Sequence, residues 1–154
     1  ICFVCTGNAC RSPFAECVLK SMLEQEGMDN IEVFSRGTLD WGENPRDANM
    51  VRIARELGYA LKGMTTPITR ENLQEADCIV IFDVEHRNAI SRVLDYANWE
   101  RIVMFDKLAF GTDTAVMDPH YQTDDVYQSV ASHIVEGCKR MIELWRNNPP
   151  THKA

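Results

Sequence analysis

Short apolar runs alternate with stretches of helical periodicity along this chain, and that alternation predicts the architecture before any chemistry is considered. Ile1–Val4 is apolar throughout and reads as a first strand running into a tight loop. From Pro13 to about Gly27 the spacing is helical, with Phe14, Cys17, Val18, Met22 and Leu23 on one stripe and Gly27 as the stop signal. Ser12-Pro13 occupies the places of an N-cap and a first helical residue. Ile31–Ser35 alternates as a second strand, and Arg36–Asp47, with Gly37, Gly42 and Pro45, reads as a loop. Helical spacing returns over 47–57 and stops at Gly58, and Thr69 opens a capping signal for a short helix to about Ala76. Cys78–Phe82 is the continuous apolar run of a central strand, closed by Asp83. A helix over 84–94, a strand over Arg101–Phe105, a loop over 106–121 and a long helix from Thr123 to about Trp145 complete the pattern, which Pro149-Pro150 ends.

Strands that alternate with helices pair in parallel through crossovers. The expected fold is therefore α/β, a single domain over residues 1–154 built on a twisted four-stranded parallel sheet with helices on both faces. A length of 154 residues at 45% hydrophobic suits one such core, and no internal repeat or linker interrupts it. In sheets of this kind ligands lie beyond the carboxyl ends of the strands. Cys5 and Asp83 follow strands directly, and Asp118 follows after a loop.

Charge and composition narrow the classes. Sixteen basic against 23 acidic residues give a net charge of −7, which disfavours a nucleic-acid partner. No apolar run approaches the ~20 residues of a membrane span, and no signal-peptide pattern precedes Cys5, so no membrane insertion is expected and the expected location is cytoplasmic. The six cysteines are too few for a disulfide scaffold at this length. Cys2, Cys17, Cys78 and Cys138 have mostly apolar neighbours and read as small buried hydrophobes in a reducing compartment. Cys2-Phe3-Val4-Cys5 has CxxC spacing, but no second such pair and no His-x3-His spacing accompanies it, so no metal or other cofactor is expected.

The chemistry concentrates in one stretch, Val4-Cys5-Thr6-Gly7-Asn8-Ala9-Cys10-Arg11-Ser12-Pro13. Gly7 and Asn8 tolerate unusual backbone angles, so the loop can curl until several N–H groups face one point. With the start of the helix they form a cradle for a phosphate-sized anion, and the same dipoles favour a thiolate at Cys5. Arg11 closes the loop with a planar fork suited to two phosphoryl oxygens. A nucleophile under a bound phosphate is the result.

Cys5, five intervening residues, Arg11 and then Ser12-Pro13, with Gly7-Asn8 inside the loop, resembles the signature of the low-molecular-weight protein tyrosine phosphatases. Asp118-Pro119-His120-Tyr121 resembles the Asp-Pro-aromatic element that carries the general acid in that family, and the likeness spans essentially the whole chain. It implies hydrolysis of phosphotyrosine in protein substrates through a phosphocysteine intermediate, with Cys5 as nucleophile, Arg11 as phosphate clamp and Asp118 as general acid and base. Thr6, Gly7, Asn8, Ala9, Cys10, Arg11 and Ser12 would bind phosphate, and Ser12 would donate a hydrogen bond to the Cys5 thiolate. Trp41 would form one wall of the substrate cleft, with His120 and Tyr121 opposite. Cys10 would be the redox partner that traps oxidised Cys5 as a disulfide. Asn8 is expected to brace the loop.

Two departures accompany the likeness. His120 stands where the family more often has an aromatic pair, and Met64-Thr65-Thr66-Pro67-Ile68-Thr69 replaces a common Ala-Arg-Gln-apolar-Thr segment. His86, His133 and His152 show no sequence partner and read as surface residues. Three other activities remain open. Phosphoarginine hydrolysis is one, in which similar members carry a threonine where this chain has Ala9. Arsenate reduction would need a relay of further cysteines, and a non-catalytic phosphotyrosine-binding module would be expected to lack Cys5 or Asp118.

Overall fold

The protein is described by a computed structural model covering residues 1–150, the side chains of 96–98 excepted. Its centre is an all-parallel sheet of four strands, β1 (Cys2–Cys5), β2 (Phe34–Gly37), β3 (Ile79–Ile81) and β4 (Ile102–Met104), in the order β2-β1-β3-β4. Every residue of β1 is buried, as expected of an inner strand covered on both faces. Alternate side chains serve different cores. Phe3, Cys5, Val80 and Phe82 face a large cluster with helices α1 (Arg11–Glu26), α2 (Ala48–Glu56), α5 (Phe105–Phe110) and α6 (Asp124–Asn147). Cys2, Val4, Ile79 and Ile81 face a smaller one with Leu73 of α3 (Arg70–Glu75) and Ile90 of α4 (Val84–Ile90). A 3-10 turn over Tyr96–Arg101 leads into β4.

The chain leaves β1 toward β2 on one side and returns to β3 on the other, so the order reverses at β1. A crevice beyond the carboxyl end of β1 is the ligand position that this topology creates.

Several boundaries differ from the sequence pattern. The second strand is Phe34–Gly37 rather than Ile31–Ser35, because its register is set by pairing with β1 from Cys2↔Phe34 to Cys5↔Gly37. Helix α1 starts at Arg11, ahead of Pro13, and Ser12 does not cap it, since its hydroxyl is engaged at Cys5. The span 106–121, read as loop, begins with the one-and-a-half turns of α5, which follow β4 without a capping side chain. What holds α5 is tertiary contact. A Cβ on Gly137 of α6 would lie 2.3 Å from the Phe105 ring, so glycine there lets α5 settle against α6.

Asp83 and Thr69 cap α4 and α3 through their side chains. The cysteines divide: Cys2 and Cys138 are buried as expected, whereas Cys17 and Cys78 are only partly so. Among the described residues no helix is long and apolar enough to cross a membrane.

Candidate active site

At the carboxyl end of β1 the chain turns through residues 6–10 and enters α1 directly. Asn8 sits at φ 56°, the left-handed region that asparagine tolerates. Its side-chain amide is fully used. Nδ2 donates to Ser12 Oγ (2.9 Å) and Ser35 Oγ (3.0 Å), while Oδ1 accepts from the Thr66 N–H (2.9 Å) and Arg46 Nη1 (2.9 Å). Two donors and two acceptors satisfied at once fix the amide's orientation and, through it, the curl of the loop. Gly37 adds room at the end of β2, where a Cβ would come within 2.9 Å of Thr6 O and 3.0 Å of Asn8 Cβ. The departure at Thr65-Thr66-Pro67 is thereby accounted for: backbone groups of this segment support the cradle, with the Thr66 carbonyl also accepting from Gly37 N (2.8 Å).

Cys5 Sγ lies 3.0 Å from Ser12 Oγ. That hydroxyl already accepts from Asn8, so its single hydrogen is free for sulfur, the nearer of its two acceptors; Arg36 O stands at 3.4 Å. Arg11 is 3% exposed, and its Nη1 donates to Val116 O (3.0 Å) while Nη2 stands 3.6 Å from Asp118 Oδ2. Its Nε is buried with no hydrogen-bond partner.

Asp118 is half exposed, and its Oδ1 accepts the His120 N–H (3.1 Å), so Asp118-Pro119-His120 forms a local turn that turns the carboxyl toward Arg11. Cys5, Thr6, Gly7, Ala9, Cys10, Arg11, Leu39, Trp41, Asp118 and His120 together line a cavity of about 150 Å3. Trp41 crosses the cradle and donates from Nε1 to Gly7 O (3.0 Å). Tyr121 is not part of this lining. It is 92% exposed and packs against His120, ring centres 3.9 Å apart and planes tilted by 46°.

A larger depression of about 770 Å3 lies at the opposite end of the sheet. Five carboxylates, those of Asp29, Glu32, Glu75, Asp77 and Glu100, surround Arg36 and Arg101 there, a balance that repels an anionic phosphoryl group. No group of three or more His, Cys, Asp or Glu with metal-binding geometry occurs among the described residues.

Some residues of the site have no signal in the sequence pattern. Asp47 caps α2 through Oδ1 and receives Tyr127 Oη (2.8 Å) and His120 Nδ1 (3.2 Å) on Oδ2. Burial works against its charge, but the bonds from Tyr127, the Met50 N–H and His120 outweigh it and hold the pKa below the ordinary carboxylate value. His120 therefore ties the Asp118 turn to α2 and α6. Burial, and then the Asp47 carboxylate, push the Cys10 thiol far up, so Cys10 stays protonated.

His86, read as a surface residue, is 1% exposed and bonds Thr6. Its place three residues after Asp83, the N3 position of a capping motif, was the only available sign. His133 also has a partner, Asp106, at 2.6 Å, and His152 lies outside the described residues.

The family model "Low molecular weight phosphotyrosine protein phosphatase" matches residues 1–149. The chain belongs to this family. A low molecular weight protein-tyrosine-phosphatase of Streptomyces coelicolor is 31% identical over 149 residues, covering 93% of this chain and 86% of that protein. The protein-arginine-phosphatase of Bacillus subtilis is 29% identical over 143 residues, covering 93% and 94%. Among solved structures, a variant of the YwlE arginine phosphatase with a phosphorylated active-site serine superposes with a TM-score of 0.86 at 26% identity, covering 96% of this chain and 95% of that one. Relatives of this phosphatase thus act, by name, on either of two phosphorylated side chains.

Proposed function

We propose that the protein hydrolyses phosphotyrosine in proteins through a phosphocysteine intermediate. One observation carries the reading: Cys5, Arg11 and Asp118 line one small cavity. Cys5 attacks phosphorus in line, Arg11 and the loop N–H groups hold the equatorial oxygens, and Asp118 protonates the departing phenolic oxygen. Asp118, then a carboxylate, takes a proton from the water that attacks the phosphocysteine. The phosphorylated active-site serine in a variant of the similar YwlE enzyme is consistent with a covalent intermediate at the loop nucleophile.

Tyrosine is favoured over serine by depth, since a long side chain is needed to carry the phosphate past the Trp41 and His120 walls to Cys5. Phosphoarginine is the second reading, supported by the relative named for it. Ala9 weakens it, because no hydroxyl is available at that position. Arsenate reduction is disfavoured by placement: Cys78 lines the far depression, and Cys10 is the only cysteine beside Cys5 in the cavity lining. Parallel assays on phosphotyrosine, phosphoserine and phosphoarginine peptides should give turnover on the first alone. In Trp41→Ala, binding of aryl phosphates should weaken by about 0.5–1.5 kcal/mol while small phosphates are spared. Preferred turnover of phosphoarginine would reverse the assignment.

Redox protection by Cys10 is part of the same proposal. Peroxide converts the Cys5 thiolate to sulfenic acid, releasing hydroxide; Cys10 sulfur then attacks that sulfur, its proton passing to the departing hydroxide, so that the disulfide and water form. Peroxide-treated protein should regain activity with a thiol reductant, whereas Cys10→Ser should stay inactive. Full recovery of the variant would remove Cys10 from this role.

A further inference from the structure

We propose that the side chain of Thr6 donates a hydrogen bond to the bound phosphoryl group and that His86 is the positioning residue that aims it. The proposal rests on the reading of the cavity as a phosphoryl site. It follows from counting hydrogens around one imidazole. His86 Nδ1 faces two backbone donors, Phe82 N at 3.3 Å and Asp83 N at 3.1 Å, so Nδ1 carries no hydrogen and accepts. A neutral ring then bears its hydrogen on Nε2. That atom lies 3.0 Å from Thr6 Oγ1, so the ring donates and the hydroxyl accepts. Burial and the neighbouring Arg11 guanidinium push the His86 pKa down to about 4, which keeps the ring uncharged at neutral pH.

Arg11 Nη2 makes a second, longer approach to the same oxygen at 3.5 Å, and a guanidinium only donates. Both protein neighbours of the Thr6 oxygen are thus donors. The hydroxyl's own hydrogen cannot lie along either direction and must find an acceptor elsewhere. Thr6 lines the cavity beside Cys5 and Arg11, where a phosphoryl oxygen is the acceptor the reaction supplies. The bare backbone amides at the end of β3 therefore set the imidazole, the imidazole sets the hydroxyl, and the hydroxyl completes the cradle. No proton moves in this chain of bonds; it fixes a direction.

Inorganic phosphate binding, followed by titration calorimetry on the intact protein, tests this with Thr6→Val, Thr6→Ser, His86→Asn and the double variant Thr6→Val/His86→Asn. Loss of a hydrogen bond to a charged group should weaken phosphate roughly 10- to 100-fold in Thr6→Val, while Thr6→Ser stays within about threefold of wild type. His86→Asn keeps a capping side chain but not the reach to Thr6, so it should weaken phosphate too, and in the Thr6→Val background it should add nothing. Unchanged phosphate affinity in Thr6→Val would overturn the proposal, as would His86→Asn and Thr6→Val losses that simply multiply. Should His86→Asn fail to fold, the Thr6→Val and Thr6→Ser pair decides alone. A wild type that shows this phosphate pattern without cleaving phosphotyrosine peptides would uphold the donor and discard only the substrate class.

Discussion

Cys5→Ser should abolish turnover while phosphate and vanadate still bind. A serine hydroxyl at neutral pH remains protonated, and the cradle's N–H groups, which favour an anion beneath them, cannot make it a thiolate equivalent. Binding is carried by other groups: Arg11, held at 3% exposure by Val116 O and the Asp118 carboxyl, and the loop braced by Asn8. The expected loss in kcat is on the order of 10⁴-fold or more, with phosphate affinity near that of wild type. Calorimetry with vanadate beside steady-state rates on p-nitrophenyl phosphate separates the two quantities. Residual turnover at wild-type levels would remove Cys5 from the role of nucleophile.

Asp118→Ala should slow turnover by roughly 10²–10⁴-fold on phosphotyrosine, and far less on esters whose leaving group departs as a stable anion. The carboxyl sits at the cavity mouth, turned inward by the bond from the His120 N–H and by Arg11. In the proposed mechanism its task in the first step is the proton that the leaving oxygen needs, so the loss in kcat/KM should scale with that oxygen's basicity. A series of aryl and alkyl phosphates measures the slope directly. Equal losses in kcat/KM for p-nitrophenyl phosphate and an alkyl phosphate would remove Asp118 from the role of general acid.

The cradle was legible because it is local. Cys5, Gly7, Asn8, Arg11 and Ser12 fall within one strand-loop-helix unit, where residue type fixes backbone curl and the spacing fixes what faces the anion. The strand-helix alternation likewise sufficed for an all-parallel sheet, since crossovers leave little other choice. Asp118 came through resemblance alone, for a carboxylate before proline has no distinctive physics in sequence.

Tertiary structure decided the rest. The second strand slid to Phe34–Gly37 because pairing with β1, and not local alternation, sets register. Helix α5 was invisible because six residues carry no measurable period and its stability comes from contact with α6 at Gly137. His86 and Asp47 were misread or missed for one reason: the groups that give them meaning, Thr6 for the first and Tyr127 and His120 for the second, lie 73 to 80 residues away. A polar side chain with no neighbour of the right kind in sequence looks like solvent-facing surface. Only the fold supplies the partners that make its burial affordable and its hydrogens directional.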